Sequence, residues 1–512
     1  MKKQITVFLL LAMFSTQIFA QTKSFENVTK FRLRNSGIIQ ESGTLAGYFV
    51  FYLDDKIDKK NDAYLLQILD NNLNSVKSIN VLQPRGSFLL EAGYNGKSFA
   101  MMYYSKGDLS IVAYDKTGKK LGEKKYEDIS RIQKAMIESQ MQQDDINPSI
   151  SPLGESGFVK QSLVKNDKYG YTIEAFGNDM SPLWTYGSDV KSDLLEVADV
   201  VYSSSKYVVA YVIRKKSLLT NKMDGAIVVL DAVTGKKLFE KPMKEDSELS
   251  VMNCFVNEET NTFNVIGEYY LPGEEIMKSK SVGLFAMVLD KTGSKQLFKK
   301  ISWAGDIRKF RKMDPDEKDK TQTYFHKVIR TSDNKIVAIG EQYKRQVSAM
   351  GAASQILSGG RGATSAAELH IGDMVVMTLD DQYNLLDFKN FEKKSTNVLL
   401  PQGAAYWSSA LTAVYVKAVG GFDYNFTEED NTRGRFYSTY TDFNRKGEDG
   451  KKADAVLGII KYEDGKLSNE RVPINTNGSA LWFEPAKPGY IAVSEYFRKK
   501  KMVTIRLEKI SY

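Results

Sequence analysis

The sequence predicts an all-β chain folded as a single β-propeller of eight blades, with seven the alternative. Three observations carry this. One phrase recurs along the 512 residues: an apolar or aromatic strand, an Asp, a short polar turn, then a second strand rich in Lys and aromatics. The spacing of the phrase leaves room for four short strands per copy, and the C-terminal copy lacks a last strand that the N-terminus can supply.

The clearest copies are Ile111-Val112-Ala113-Tyr114-Asp115-Lys116-Thr117-Gly118, Ile227-Val228-Val229-Leu230-Asp231-Ala232-Val233-Thr234-Gly235 and Ala286-Met287-Val288-Leu289-Asp290-Lys291-Thr292-Gly293. Weaker copies end at Asp70, Asp380 and Asp464, and a degenerate one runs Thr172 to Asp179. The chemistry of the phrase is local. Asp caps the turn with its own carboxylate, Gly supplies a positive φ, and the β-branched residues before them suit a buried strand. Asp-to-Asp gaps run from 45 to 90 residues, a range that fits propeller blades with insertions.

The second unit reads as strands Phe88 to Tyr94, Ser98 to Tyr104, Leu109 to Tyr114 and Lys120 to Tyr126. The fifth reads as Val251 to Val256, Phe263 to Tyr270, Val282 to Leu289 and Gln296 to Ile301. The C-terminal unit shows only Ala480 to Phe483, Tyr490 to Phe497 and Met502 to Glu508. Val28 to Leu33 is the expected fourth strand, closing the ring and hiding its edges.

The string Asp231-Ala232-Val233-Thr234-Gly235-Lys236-Lys237-Leu238 resembles the repeat of pyrroloquinoline-quinone-type propellers. Those repeats place Trp soon after the Gly and Leu. Here Phe239 and Phe298 stand near that position, and Leu183-Trp184 approaches it. The resemblance implies the fold and not the cofactor; no cofactor is expected. As a whole the chain resembles the large exported proteins of unknown function common in Bacteroidota, a likeness that brings no active residues with it.

Residues 1–20 read as a signal peptide. Met1-Lys2-Lys3 is a positive start, Ile5 to Phe14 is apolar, and Ala20-Gln21 is the expected cleavage point. The apolar run is too short to span a bilayer. Residues 21–512 form the expected propeller domain, exported to the periplasm or outside, with no transmembrane segment. The 71 basic and 63 acidic residues give +8, or +6 once Lys2 and Lys3 are removed. The charges are interleaved along the chain, which argues against a basic patch for nucleic acid or anionic lipid. The single cysteine, Cys254, cannot form an internal disulfide and reads as a buried thiol.

Three segments break the repeat. Residues 127–147 place Ile129, Ile132, Met136 and Met141 at roughly helical spacing, which predicts a helix packed on the ring. Residues 347–372 are rich in Gly, Ala and Ser and predict a mobile loop; no phosphate-loop pattern occurs in them. Residues 420–454, with Glu428-Glu429-Asp430 and Arg433-Gly434-Arg435, read as a long insertion.

Catalytic constellations are scarce. Only His326 and His370 are present, the first read as structural on a strand and the second as a surface residue. No HExxH, CxxC or GxSxG occurs, so neither a metal site nor a nucleophile elbow is expected. Asp314 to Asp319 lacks the ligand spacing of a calcium loop. The four tryptophans, Trp184, Trp303, Trp407 and Trp482, read as packing residues, with Trp407 beside Tyr406 the one suited to stacking on a sugar.

These observations favour an exported, monomeric, non-enzymatic scaffold that binds a protein or other macromolecule through its loop face, with a cell-envelope protein or glycan as partner and no nucleic acid. Tyr406, Trp407, Arg433 and Arg435 are the candidate contact residues, since long loops on a rigid scaffold concentrate binding. The alternative is a carbohydrate-active hydrolase with two carboxylates facing each other in the central funnel.

Overall fold

A computed structural model describes residues 21–511 apart from 42–43, 56–57, 128, 142–148, 166–168, 218–219, 221, 311–320, 348–363, 402–403, 405–406, 431–433 and 444–454. Eight antiparallel sheets stand in a ring, so the eight-bladed reading holds. Each blade is a meander counted from the axis outwards. Blade 1 is Ser36–Glu41, Thr44–Asp55, Asn61–Asp70 and Ser75–Pro84; blade 2 is Phe88–Tyr94, Ser98–Ser105, Asp108–Asp115 and Lys120–Tyr126. The inner strands of blades 3 to 8 begin at Ile150, Leu195, Glu248, Gln322, Tyr424 and Ala480. Every inner strand runs in the same sense. Inner-to-second and third-to-outer hairpins therefore share one face, here the turn face, and the remaining connections share the other, the loop face.

Middle strands are buried on both sides because blades stack face to face. Ser98–Ser105 is buried over all but its last residue, and Tyr207–Lys215 over its first six. Outer strands alternate instead, as in Ser75–Pro84, where only Ile79, Val81 and Gln83 are buried. This contrast is the physical origin of the phrase in the sequence: an apolar third strand, an Asp turn, and a Lys-rich outer strand.

In the turns, Asp115 Oδ1 accepts from the Thr117 and Lys119 amides at 2.7 and 3.0 Å, and Asp290 Oδ1 from Thr292 and Ser294 at 2.8 and 3.0 Å. Gly118, Gly235 and Gly293 have φ of 85°, 68° and 80°. The weaker copies put Leu73, Met180 and Tyr383 at the corresponding left-handed position, with φ of 64°, 63° and 59°. These three side chains are almost fully buried. Burying one is worth roughly 1.5–3 kcal/mol, enough to offset a backbone cost of about 1–3 kcal/mol.

The same slot is filled from the other side where the turn carries Gly. A Cβ on Gly118, Gly235 or Gly293 would lie 2.3, 2.6 or 2.5 Å from Ile79, Trp184 or Phe239, each on the outer strand of the preceding blade. Opposite Met180 that outer strand recedes to Gly122, whose Cβ would meet the Asp179 carbonyl at 1.8 Å. At these four seams the filling side chain comes either from the turn or from its neighbour.

The ring closes through the chain ends, but not with the expected segment. Thr22–Phe25 is the outer strand of blade 8, in register with Met502–Lys509 through Thr22↔Arg506 and Phe25↔Val503. Val28 to Leu33 instead crosses the loop face to reach blade 1. Val28 and Phe31 are buried in the seam with Tyr48, Tyr496 and Val503. Their apolarity is that of seam plugs, not of a strand.

Of the insertions, the helix exists as Arg131–Gln140, and Ile129, Ile137 and Met141 pack on blades 2 and 3. The side chains of Ile132 and Met136 lie outside the described residues. Residues 364–372 belong to a long strand, Thr364–Leu379, which pairs with Ile336–Val347 beyond the edge of the ring. Most of 420–443 is blade, as the strands Tyr424–Asp430 and Arg435–Phe443. The acidic run Glu428-Glu429-Asp430 looks like a loop because an inner strand borders the central channel and only part of it is buried. Cys254 is buried, and that burial pushes its thiol up to about 12.

Buried carboxylates tie each of several blades to the start of the next. Glu91 of blade 2 accepts from the Ser149 and Ile150 amides at 3.0 and 2.8 Å. Glu484 of blade 8 accepts from Ser36 Oγ of blade 1 at 3.1 Å and from Ser494 Oγ at 3.2 Å. Burial pushes Glu484 up to about 7, with only the two hydroxyls opposing it. Between about 4.5 and about 7 the folded protein therefore holds a proton that the unfolded chain has released, so stability falls as pH rises through that window. Glu484→Gln should raise the melting temperature at pH 8, by up to about 3 kcal/mol of stability, and flatten the slope across the window. Identical pH slopes for variant and parent, measured by thermal denaturation, would show that Glu484 stays ionised.

Candidate functional site

Blade 6 is built differently from the others. Its second and third strands continue past the ring on the loop face, and the fifth strand, Thr396–Pro401, pairs with that extension through Ile371↔Thr396 and Leu369↔Val398. The helix Ser409–Ala418 follows, capped by Ser408 Oγ, which accepts from the Leu411 amide at 3.1 Å. Together these elements have their own core of Tyr343, Leu369, Ile371, Leu400, Ala413, Val416 and Phe422. Leu399 and Val414 remain exposed on its outside. Arg345 ties the module down, its Nη2 donating to the Trp407 carbonyl at 2.6 Å and to Thr412 Oγ1 at 2.7 Å.

Beneath the module lies a cluster of buried ionisable groups at the seam of blades 6 and 7. Lys393 Nζ sits 2.5 Å from Asp423 Oδ2 and 3.6 Å from Glu341 Oε2, with no exposed side-chain area on Lys393 or Glu341. Glu341 also accepts from the Asp423 and Tyr424 amides at 3.2 and 2.5 Å, which fixes the start of blade 7's inner strand. Thr396 Oγ1 donates to Asp423 at 2.8 Å. His326 Nε2 lies 3.3 Å from Glu341 Oε1, close enough for charge to be felt, yet neither ring nitrogen has hydrogen-bond geometry to a partner. Its ring stacks on Tyr424 at 4.6 Å, with Tyr324 and Phe422 edge-on.

Burial lowers His326 against the pull of Glu341. Burial also pushes Asp423 up to about 6 despite Lys393. Glu341 is the opposite case: His326, Lys393 and the amides outweigh burial and hold it below the usual carboxylate range. A cavity of about 200 Å³ adjoins the cluster, lined among others by Asp373, His370, Lys393 and Gln342. Burial raises Asp373 as well. His370 Nδ1 is 2.9 Å from Asn397 Oδ1 on the module.

A second concavity, about 380 Å³, opens on the turn face between blades 5, 6 and 7. Arg330, Thr331, Ser332, Glu429, Gly434 and Arg435 line it. Arg435 is nearly buried, with Nε 3.1 Å from Asp430 and Nη1 3.0 Å from Glu463.

Trp407 and Arg435, two of the four sequence-based contact residues, stand on opposite faces of the ring. Trp407 stands in the module on the loop face, half-buried and edge-on to Tyr415 at 5.4 Å. Arg435 lines the groove on the opposite face. Tyr406 and Arg433, like Asp314 to Asp319, lie outside the described residues. Trp184, Trp303 and Trp482 pack at blade seams, Trp303 donating to Ser281 Oγ at 3.0 Å.

Sequence reasoning missed the buried cluster, although a signal for it exists. Ile266-Gly267-Glu268-Tyr269-Tyr270 in blade 5 and Ile339-Gly340-Glu341-Gln342-Tyr343 in blade 6 repeat one string at one structural position. The Gly is needed because the inner strand bulges against it: a Cβ would lie 2.0 Å from the Ser250 carbonyl or 2.4 Å from the Tyr324 carbonyl. The Glu that follows is buried in both, Glu268 accepting from Ser281 Oγ at 2.8 Å and Tyr270 OH at 2.9 Å. Among the described residues no helix is long and apolar enough to cross a membrane.

The propeller of Dos1 is similar over 95% of this chain and 94% of its own length, at 9% identity and a TM-score of 0.42. Prolyl oligopeptidase B from Galerina marginata is similar over 91% of this chain and 55% of its own, at 10% identity and a TM-score of 0.41, so this chain spans about half of that enzyme. The β-propeller domain of the Trilobed protease from Pyrococcus furiosus is similar over 85% of this chain and 96% of its own, at 9% identity and a TM-score of 0.36. Such likeness concerns the fold alone. No curated protein matches the sequence. The model of a family described as "Family of unknown function (DUF6770)" matches residues 1–511, and the chain belongs to that family.

Proposed function

We propose that the chain is an exported, non-enzymatic scaffold whose loop face binds a protein or other macromolecule of the cell envelope. The charged and apolar order of residues 1–20 supports export. The observation that carries the binding reading is the module of blade 6. It adds a strand, a helix and a separate core to one face of the ring, and exposes Leu399 and Val414 on its outside. The acids beneath it are engaged in holding blade 7 on blade 6, which is a structural duty.

The test uses the chain from Gln21 onward as bait for envelope extract, alongside two variants. Leu399→Glu with Val414→Glu alters the module, and Ser332→Glu alters the turn face. The expected result is a discrete partner captured by the parent and by Ser332→Glu, and lost with the module variant. Capture that ignores the module change would overturn the reading. So would release of reducing sugar from glycans by the parent, which is the hydrolase alternative.

A further inference from the structure

Ring closure assembles a basic surface that the linear sequence hides. Lys30, Arg32 and Arg34 follow the closing strand, and Arg498, Lys499, Lys500 and Lys501 form the tip between the second and third strands of blade 8. The two runs lie at opposite ends of the chain and meet on the loop face. The Val28 amide donates to the Lys501 carbonyl at 2.8 Å, Tyr496 OH donates to the Thr29 carbonyl at 2.7 Å, and Phe31 packs on Trp482 at 5.8 Å.

Residues 26–35 and 497–501 together hold seven basic residues and one acid, Glu26. Their +6 equals the net charge of the whole chain beyond residue 20, so the remainder is balanced. Lys30, Arg498, Lys499, Lys500 and Lys501 are exposed, and Lys500 Nζ rests over the Phe497 ring at 5.6 Å. The ion pairs of blade 8 are made elsewhere, by Arg506 with Glu495 and Glu508. Lys30, whose Nζ rests over the Phe88 ring at 4.2 Å, is lowered first by partial burial and then by Arg32 and Arg34.

We propose that this patch docks the protein on an anionic phospholipid surface. The exposed part of the patch is made mostly of lysine, whose compact ammonium suits a diffuse field of headgroups. A single phosphate would call for a buried, forked Arg instead. The one buried arginine, Arg34, turns inward, its Nη1 donating to the Leu90 carbonyl at 3.3 Å. This surface is distinct from the blade 6 module, so either proposal can fail without the other.

The test is co-sedimentation of the chain from Gln21 onward with phosphatidylcholine vesicles, with and without about 30% phosphatidylglycerol. Binding should require the anionic lipid and fall steeply with salt. Each exposed lysine contributes about fivefold, so Lys499→Gln with Lys500→Gln and Lys501→Asn should weaken binding about a hundredfold. Asn is chosen at 501 because the residue there has φ of 49°. Lys119→Gln with Lys236→Gln and Lys291→Gln, on the turn face, should bind as the parent does, and thermal melting checks that both triples fold. No binding to the anionic vesicles, equal binding by the two triples, or retention on heparin without vesicle binding would each overturn the proposal.

Discussion

Deleting residues 21–31 will open the ring: the protein will melt about 5–8 °C lower and aggregate at its midpoint. The deletion removes the four-residue outer strand of blade 8 and uncovers the backbone edge of Met502–Lys509. It also removes Phe25, Val28 and Phe31, all buried in the seam between blades 8 and 1. Three such side chains are worth roughly 5–8 kcal/mol, far more than the few tenths that separate most surface changes from the parent. The exposed edge is a template for pairing with another chain, hence aggregation. A peptide of residues 21–35 added in trans should restore the melting temperature in a concentration-dependent way, as a donated strand. A truncated protein that stays monomeric with an unchanged melting curve would show that the ring does not depend on this closure.

Why the closing strand was misplaced on sequence grounds is instructive. Thr22-Lys23-Ser24-Phe25 has one apolar residue because an outermost strand buries one position and wets the rest. Val28-Thr29-Lys30-Phe31 is the more apolar segment, yet it is a crossing that plugs a seam. Apolar periodicity reports burial, and burial need not mean a ladder. The blades themselves were legible because the middle strands are buried on both faces and the Asp turns solve a local problem with local atoms. The first two strands of blade 7 were not, since Glu428-Glu429-Asp430 borders the channel, where polarity costs little. The buried cluster was hidden for a different reason. His326, Glu341, Lys393 and Asp423 come from one strand, its neighbour and two connections, and nothing in the linear order brings them together. Only the repeated Ile-Gly-Glu string marked the place, by pairing a residue with no side chain to a buried acid.

That cluster is where a single substitution should cost most. Lys393→Met keeps the apolar stem and removes the ammonium that faces both Glu341 and Asp423. In the parent, burial opposes the charge on both acids, and Lys393 offsets part of that for each. Removing one partner of a buried ion pair costs about 3–5 kcal/mol, because the charge left behind is neither hydrated nor compensated. The lost stability should return at low pH. With Lys393 gone, Asp423 titrates still further above its unfolded value and Glu341 less far below its own. Relative to the parent the folded protein then binds more protons, so its deficit in stability grows as pH rises through the folded values. In the parent the two acids work against each other: raised Asp423 loses stability up to about 6, while depressed Glu341 supplies stability that is lost only as pH falls. The variant should therefore gain far more than the parent on moving from pH 8 to pH 5.5, in urea midpoint or melting temperature. Adding Asp423→Asn to Lys393→Met removes one of the stranded charges and should recover part of the loss at pH 8. If Lys393→Met melts within a degree or two of the parent at pH 8, or if its deficit is the same at pH 5.5, the lysine is not balancing the acids and the seam of blades 6 and 7 is held by packing alone.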